Sequence, residues 1–477
     1  MVFSSPLFLF LFLPLVLWLY FIIPVKSKNY LILFASCLFY IFGEIKYWWI
    51  IVLSILINYL FSIAITIAKN KYFILSIGIT VNLSILVWFK YANFIDHNLS
   101  ELFNFLDIKY VPIQHHIHLP LGISFFTFHV ISYLIDIKRG NAVVQKRLTD
   151  FALYILLFPQ LIAGPIIRYK DIANQLTVRV STGDDFAIGF QRFVIGLGKK
   201  VLLANPLGDT ADSIFSLTTS TRSASVAWIG IVSYTFQIYF DFSGYSDMAI
   251  GLMRILGFRI MENFDYPYVS RSVREFWRRW HISLSSWFRD YVYIPMGGNR
   301  CGKIRNHINL LVVFILCGLW HGASWSFLIW GLWHGVFLLL ERTKLGNNLA
   351  RLPQLVQHGY AMFVVMIGWV FFRADDLSLA VGYIKTLFGL GLTVRANIYP
   401  FPRFLDNFTA LVITIAIIGS TPFGRNLWGH HDLMADSLYD VKLTWSSVQS
   451  ILMLVILLLS AGFVAAGTYN PFIYFRF

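Results

Sequence analysis

Charge is what this sequence has least of. Only 13% of its 477 residues are Asp, Glu, Lys or Arg, against about 25% in an ordinary soluble domain. With 57% hydrophobic residues, 18% aromatics and a mean hydropathy of +0.67, the chain carries more apolar surface than a water-soluble core absorbs. Cysteine is scarce too. Cys37, Cys301 and Cys317 form no CxxC pair and no ligand spacing, so neither a disulfide framework nor a metal site is expected. There is no GxSxG, no GxxxxGK[ST] and no HExxH, which leaves a serine hydrolase, a nucleotide-driven pump and a zinc protease without support. No internal repeat or low-complexity linker interrupts the chain.

What is present is a series of apolar runs approaching the roughly 17 to 25 residues needed to cross the hydrocarbon layer. They fall at 6–24, 30–43, 47–68, 72–89, 119–137, 148–163, 186–203, 226–242, 308–320, 325–340, 360–372, 409–421 and 446–466, several short enough to be half-helices or re-entrant segments. The pattern predicts one all-α polytopic membrane domain over 1–477. Residues 6–24 lack a basic leader and a small-residue cleavage site, and read as a first helix, not a signal peptide.

The formal net charge of +14 fits cytoplasmic loops that collect Lys and Arg beside anionic lipid, with no nucleic-acid partner implied. Basic clusters fall on alternate connections of the first half: Lys26 and Lys28, then Lys69 and Lys71, then Lys138, Arg139, Lys146 and Arg147. These predict cytoplasmic loops, and place the N-terminus and a 90–118 loop on the other side. His115, His116 and His118 in that loop have no carboxylate or Cys close by in sequence and read as polar loop residues, with no metal expected.

The stretch from Arg254 to Arg305 holds ten cations against four acids and cannot be a simple span. On a helical wheel Phe276, Trp277, Trp280, Leu284, Trp287, Phe288 and Tyr291 share one arc, and Arg274, Arg278, Arg279, Arg289 and Ser285 lie opposite. This predicts a helix in the membrane interface, aromatic side down and arginines toward water and lipid phosphate.

Ionisable side chains in apolar surroundings are costly and so mark candidate sites. His321, in Trp320-His321-Gly322 at the end of the run 308–320, suits general-base work, since an imidazole of unperturbed pKa about 6.5 accepts a proton near neutral pH. Gly322 would let a substrate approach the backbone. His334, in Trp333-His334-Gly335, would face away from His321 if one helix carried both, and reads as structural. His281 lies at the edge between the aromatic and cationic arcs. Asp241, Ser243, Tyr245 and Asp247 form a polar knot after an apolar run, able either to bind an acceptor hydroxyl or to pin helices together.

Three segments carry a resemblance: QIYFDFSGYSDMAIG (237–251), EFWRRWHISLSSWFRDYVYIPMGGNR (275–300) and CGLWHGASWSFLIWGLWHG (317–335). Together with LGISFFTFH (121–129), FPQLIAGPI (158–166), GLGKKVLLAN (196–205), the opening MVFSSPLFLFLFLP and the ending NPFIYFRF, they resemble the membrane-bound O-acyltransferase (MBOAT) family, most of all its alginate O-acetylase branch. The resemblance implies a multi-helix bundle with re-entrant and interfacial helices around a trans-bilayer tunnel, in a multi-pass protein of the bacterial inner membrane. By the same resemblance His321 takes the place of the family's essential histidine and His281 that of its second. The expected donor is acetyl-CoA or another acetyl thioester reached from the cytoplasm, with no permanently bound cofactor. Arg274, Arg278 and Arg279 would attract the donor's phosphates.

The implied function is transfer of acetyl toward an exported polysaccharide, alginate first. With no soluble outer domain in the sequence, a separate periplasmic acetyltransferase and polysaccharide export machinery are expected as partners. Alternatives are O-acetylation of peptidoglycan, cellulose or another glycan, D-alanyl transfer to teichoic acid and, without covalent chemistry, a transporter or flippase built on broken helices.

Overall fold

A computed structural model describes residues 3–113, 115, 117–390, 399–423, 447–467 and 469. The described residues form helices and connections, with no strand among them, and gather into two compact units. Among the described residues, six helices are long and apolar enough to cross a membrane. The all-α polytopic fold is therefore as expected; the ending NPFIYFRF lies outside the described residues.

The first unit comprises Met1–Ser181 and Leu256–Ile260. Its helices are α1 (Leu13–Ile22), α2 (Lys28–Gly43), α3 (Trp48–Ile67), α4 (Lys71–Phe105), α5 (Ile123–Arg139), α6 (Leu148–Leu156) and α7 (Tyr169–Thr177). The main departure from the sequence reading is α4. A span over 72–89 and a loop from residue 90 were expected, yet the helix runs 35 residues to Phe105, roughly 52 Å at 1.5 Å per residue. No Gly or Pro interrupts residues 90–105, and the returning strap is tied to the helix. Asp96 accepts from Tyr110 Oη at 2.8 Å and from the Ile113 amide at 3.0 Å, and Asn93 bonds the Ile117 backbone at both its amide and its carbonyl.

The expected span 148–163 is likewise cut. The helix α6 ends at Leu156, three residues before Pro159, and a buried turn follows. Buried backbone groups there find partners: the Phe158 amide donates to Ser36 Oγ, the Gln160 amide to the Leu157 carbonyl, and Gln160 Nε2 to the Tyr154 carbonyl at the end of α6. In the histidine-rich strap, His118 Nε2 lies 3.3 Å from the Glu44 carboxylate, a partner 74 residues away that local sequence could not supply. His115 is exposed, and His116 lies outside the described residues. No group of metal-ligating side chains assembles among the described residues.

The second unit comprises Thr182–Ile255 and Met261–Phe477. Its helices are α8 (Gly183–Gly198), α9 (Asn205–Phe215), α10 (Ala224–Ile255), α11 (Val273–Arg279), α12 (Ile282–Phe288), α13 (Lys303–His321), α14 (Trp325–Leu340), α15 (Lys344–Leu349), α16 (Gln354–Arg373), α17 (Leu377–Leu387), α18 (Asn407–Gly419) and α19 (Ser447–Ala465). A capping box between Thr182 and Asp185 starts α8, and the helix passes into a π-helical segment, Lys199–Ala204. The apolar run and the polar knot that follows it lie on one helix, the 32 residues of α10.

The arginine-rich stretch also departs from expectation. It is not one interfacial helix but two short ones, broken at Trp280 and His281. Its aromatic arc does not face lipid: Phe276, Trp277, Trp280, Leu284, Trp287, Phe288 and Tyr291 are all buried within the protein. Trp280 packs on Trp369 at 4.9 Å between ring centroids and Trp277 on Trp330 at 5.7 Å. A helical wheel finds the buried face but cannot distinguish a protein core from a lipid one, since both accept the same side chains.

Candidate active site

The hairpin of α13 and α14 carries His321 and His334 on separate helices. It breaks at Gly322, Ala323 and Ser324, and Ser324 caps α14 by accepting from the Phe327 amide. The two helices approach so closely that a Cβ at Gly318 would lie 2.3 Å from the Phe327 carbonyl oxygen, and one at Gly331 2.2 Å from that of Phe314. Small residues permit this approach between membrane helices. Gly322 does not open space for substrate as expected: its missing Cβ would fall 2.1 Å from the Phe327 ring, which occupies that place.

His321 ends α13 and is 3% exposed. Its imidazole meets Trp320, Trp330 and Phe372 edge-on at centroid distances of 4.9, 5.0 and 5.1 Å. An aromatic box thus holds a titratable ring at the end of an apolar helix. His334 contacts the same Trp330 at 5.3 Å and also Trp277 at 5.2 Å. Since the chain turns between them, the single-helix argument that separated the two histidines does not apply. His334 is nevertheless fully buried, and neither of its ring nitrogens has a hydrogen-bond partner among the described residues.

His281 is fully buried, not at an interfacial edge. It occupies the junction of α11 and α12 with φ 44°, a left-handed conformation that only a few per cent of non-glycine residues adopt, histidine more readily than most. Such strain of about 1 to 3 kcal/mol persists where the surroundings over-determine it, and clusters at functional sites. Phe242 of α10 packs edge-on at 4.6 Å, and Trp320 lies at 6.1 Å, so one indole contacts both His281 and His321. Nδ1 of His281 lies 3.0 Å from Oδ1 of Asn263. Sequence reading missed Asn263; the only available signal was its place in the polar connection between α10 and α11.

The polar knot is held by cations that the sequence reading did not pair with it. Lys200 meets Asp241 at 2.7 Å with both side chains nearly inaccessible, Lys199 meets Asp247 at 2.6 Å, and Arg192 reaches both Asp247 and Glu262. These pairs tie α8 and its π-helical continuation to α10, which favours the helix-pinning reading of the two carboxylates. The three arginines differ among themselves. Arg279 is engaged by Asp265 and Glu275, Arg274 donates to the Glu341 carbonyl, and Arg278 is exposed. Glu341 also receives the Val273 and Arg274 amides at the start of α11; burial pushes its carboxyl up from the ordinary range, against these hydrogen bonds, which lower it.

An imidazole enclosed by aromatic rings, beside a second buried imidazole, provides proton acceptors in a site shielded from bulk water. The sequence model of the membrane-bound O-acyltransferase family, MBOAT, matches residues 64–374, which contain every element of this site. The chain belongs to the MBOAT family. It is 40% identical to "Probable alginate O-acetylase AlgI" of Pseudomonas putida over 100% of both chains. It is 43% identical to the protein of the same name from Azotobacter vinelandii, over 82% of this chain and 79% of that one. A "Peptidoglycan O-acetyltransferase" of Helicobacter pylori is 35% identical over 82% of this chain and 80% of its own. The protein is thus a multi-pass membrane O-acyltransferase.

Proposed function

We propose that this MBOAT enzyme moves acetyl groups from a cytoplasmic acetyl thioester toward an exported polysaccharide, alginate, across the bacterial inner membrane. The observation that carries the proposal is His321, an imidazole enclosed by Trp320, Trp330 and Phe372, in a chain alignable end to end with a protein named "Probable alginate O-acetylase AlgI". His321 removes the proton of an acceptor hydroxyl as its oxygen attacks the thioester carbonyl. The tetrahedral intermediate collapses, the C–S bond breaks, and the thiolate takes the proton back from the imidazolium. The aromatic enclosure keeps water from competing as the nucleophile. His281 supplies a second imidazole to the same site.

Acetyl-CoA is the proposed donor. The exposed Arg278, assisted by Arg274, attracts its phosphates, while Arg279 is held by Asp265 and Glu275 and contributes less. A separate periplasmic acetyltransferase and the export machinery complete the transfer to the glycan. Peptidoglycan is a second acceptor reading, favoured by the similarity to the Helicobacter pylori enzyme.

The test is the O-acetyl content of exported polysaccharide and of peptidoglycan in a deletion strain complemented with wild type or with His321→Ala. Ester on the polysaccharide restored by wild type alone supports the proposal. Ester restored only on peptidoglycan replaces the acceptor. Restoration by both proteins removes His321 as the base and returns a transporter role to consideration.

A further inference from the structure

We infer that Asn263 is a positioning residue that fixes the tautomer of His281, leaving Nε2 as the nitrogen that accepts a hydrogen bond from a substrate hydroxyl. The inference rests on the reading of His281 as part of the acyl-transfer site, and it adds a residue that no motif pointed to.

The geometry around Asn263 determines which of its side-chain atoms is which. Three groups converge on Oδ1: the Ser283 amide at 3.3 Å, Ser283 Oγ at 2.8 Å and His281 Nδ1 at 3.0 Å. A backbone N–H can only donate, so the side-chain atom of Asn263 that faces the Ser283 amide is the oxygen. A neutral imidazole carries one N–H and one lone pair. Nδ1 faces Asn263 Oδ1 at 3.0 Å and Ser283 Oγ at 3.4 Å; the hydroxyl gives its proton to Oδ1 and so can only accept from the ring, which leaves the proton on Nδ1 and the lone pair on Nε2. Nε2 is buried and has no hydrogen-bond partner among the described residues.

The backbone strengthens the assignment. The Ile282 amide donates to the Asn263 carbonyl at 2.9 Å, so Asn263 grips the chain on both the main-chain and side-chain sides immediately after His281. These bonds hold residue 281 in its left-handed conformation and aim the ring. Asn263 is itself inaccessible, and its Nδ2 is also unpartnered among the described residues, a second buried polar atom beside the imidazole. Buried polar atoms are usually satisfied, and these two exceptions, on side chains joined by a hydrogen bond, are atoms that a polar ligand could satisfy. The pairing follows the logic of a catalytic base oriented by a third group, with an amide replacing the usual carboxylate. The amide fixes the tautomer without adding the negative charge that would favour the imidazolium.

Two measurements test this on the full-length protein. In 15N-histidine-labelled protein in lipid, with the His281 signals identified by their loss in His281→Gln, wild type is expected to show the Nδ1–H form. Asn263→Asp retains it, because the acceptor oxygen remains, and Asn263→Ala loses it. An Nε2–H form in wild type, or an unchanged form in Asn263→Ala, overturns the inference whatever becomes of the acetyl-transfer proposal.

In vesicles from the complemented deletion strain, supplied with acetyl-CoA, the acid limb of the transfer rate in Asn263→Asp is expected to move upward by about one pH unit, as an adjacent carboxylate favours a charged imidazole. The shift should vanish in the His281→Gln background. A limb that stays in place, or moves equally without His281, overturns the inference. Loss of transfer in wild-type vesicles would instead be a failure of the proposed function.

Discussion

His321 and His281 occupy two helix breaks of the same unit, and they are held in opposite ways. The rings around His321 are aromatic: Trp320, Trp330 and Phe372 fix its plane by shape. His281 is held by hydrogen bonds through Asn263 and by a strained backbone. A base that must gain and lose a proton in each turnover gains from neighbours that exclude water. A histidine whose task is to present one chosen nitrogen gains from a neighbour that dictates its tautomer. The largest effect that would separate them is at His321. His321→Ala should lower acetyl transfer by about 100- to 10,000-fold, the range of general-base catalysis, without lowering the amount of folded protein, measured by thiol release from acetyl-CoA in membrane vesicles. Retention of more than a tenth of the rate would reverse the proposed division of labour.

A second contrast is between this site and the charged seam that supports it. Lys200 and Asp241 are 3% and 2% exposed, and breaking such a buried pair from one side costs about 3 to 5 kcal/mol because an uncompensated charge stays behind. Lys200→Met should therefore deplete the protein from the membrane and lower its midpoint of thermal unfolding in detergent, while Lys200→Met with Asp241→Asn recovers most of both. If the double variant folds but its transfer rate stays near zero, the pair belongs to the chemistry and not only to the scaffold.

How much of this was legible in the sequence follows from the range of each interaction. The helices were visible because hydropathy is a local sum, and His321 was visible because an ionisable residue adjoining an apolar run is conspicuous by itself. The end of α4 was missed because it is fixed by Asp96 and Asn93 receiving a strap 14 to 24 residues later. The ion partners of Asp241 and Asp247, 41 and 48 residues upstream, were missed for the same reason. The aromatic arc of residues 276–291 was read correctly as a buried face and wrongly as lipid-facing, since hydrophobicity does not name its partner. Asn263 was invisible because an asparagine in a polar connection has no local oddity; only the fold brings it to His281.

The comparison within the aromatic box gives a smaller effect. His334 shares Trp330 with His321, yet no hydrogen bond holds its ring nitrogens among the described residues. His334→Phe keeps the stacking and removes two buried polar atoms, so it should leave transfer within about threefold of wild type and hold or raise thermal stability, as replacing an unsatisfied polar group by an apolar one of similar shape is nearly neutral or stabilising. The same substitution at His321 should be inactive. A dead His334→Phe with normal stability would make the two histidines a functional pair bridged by Trp330.

The smallest expected effect concerns the arginines, where exposure decides the outcome. Arg279 is committed to Asp265 and Glu275, whereas Arg278 is exposed. An exposed charge contact is worth only about 0.2 to 1 kcal/mol, so Arg278→Ala should raise the KM for acetyl-CoA by about two- to fivefold with kcat unchanged, and the effect should fade with added salt as the contact is screened. Arg279→Ala should act differently, lowering stability by freeing Asp265 and Glu275, with less change in KM. If the KM rises equally for a short acetyl thioester that lacks phosphates, the arginine does not read the donor's charge, and these side chains serve to hold α11 against anionic lipid.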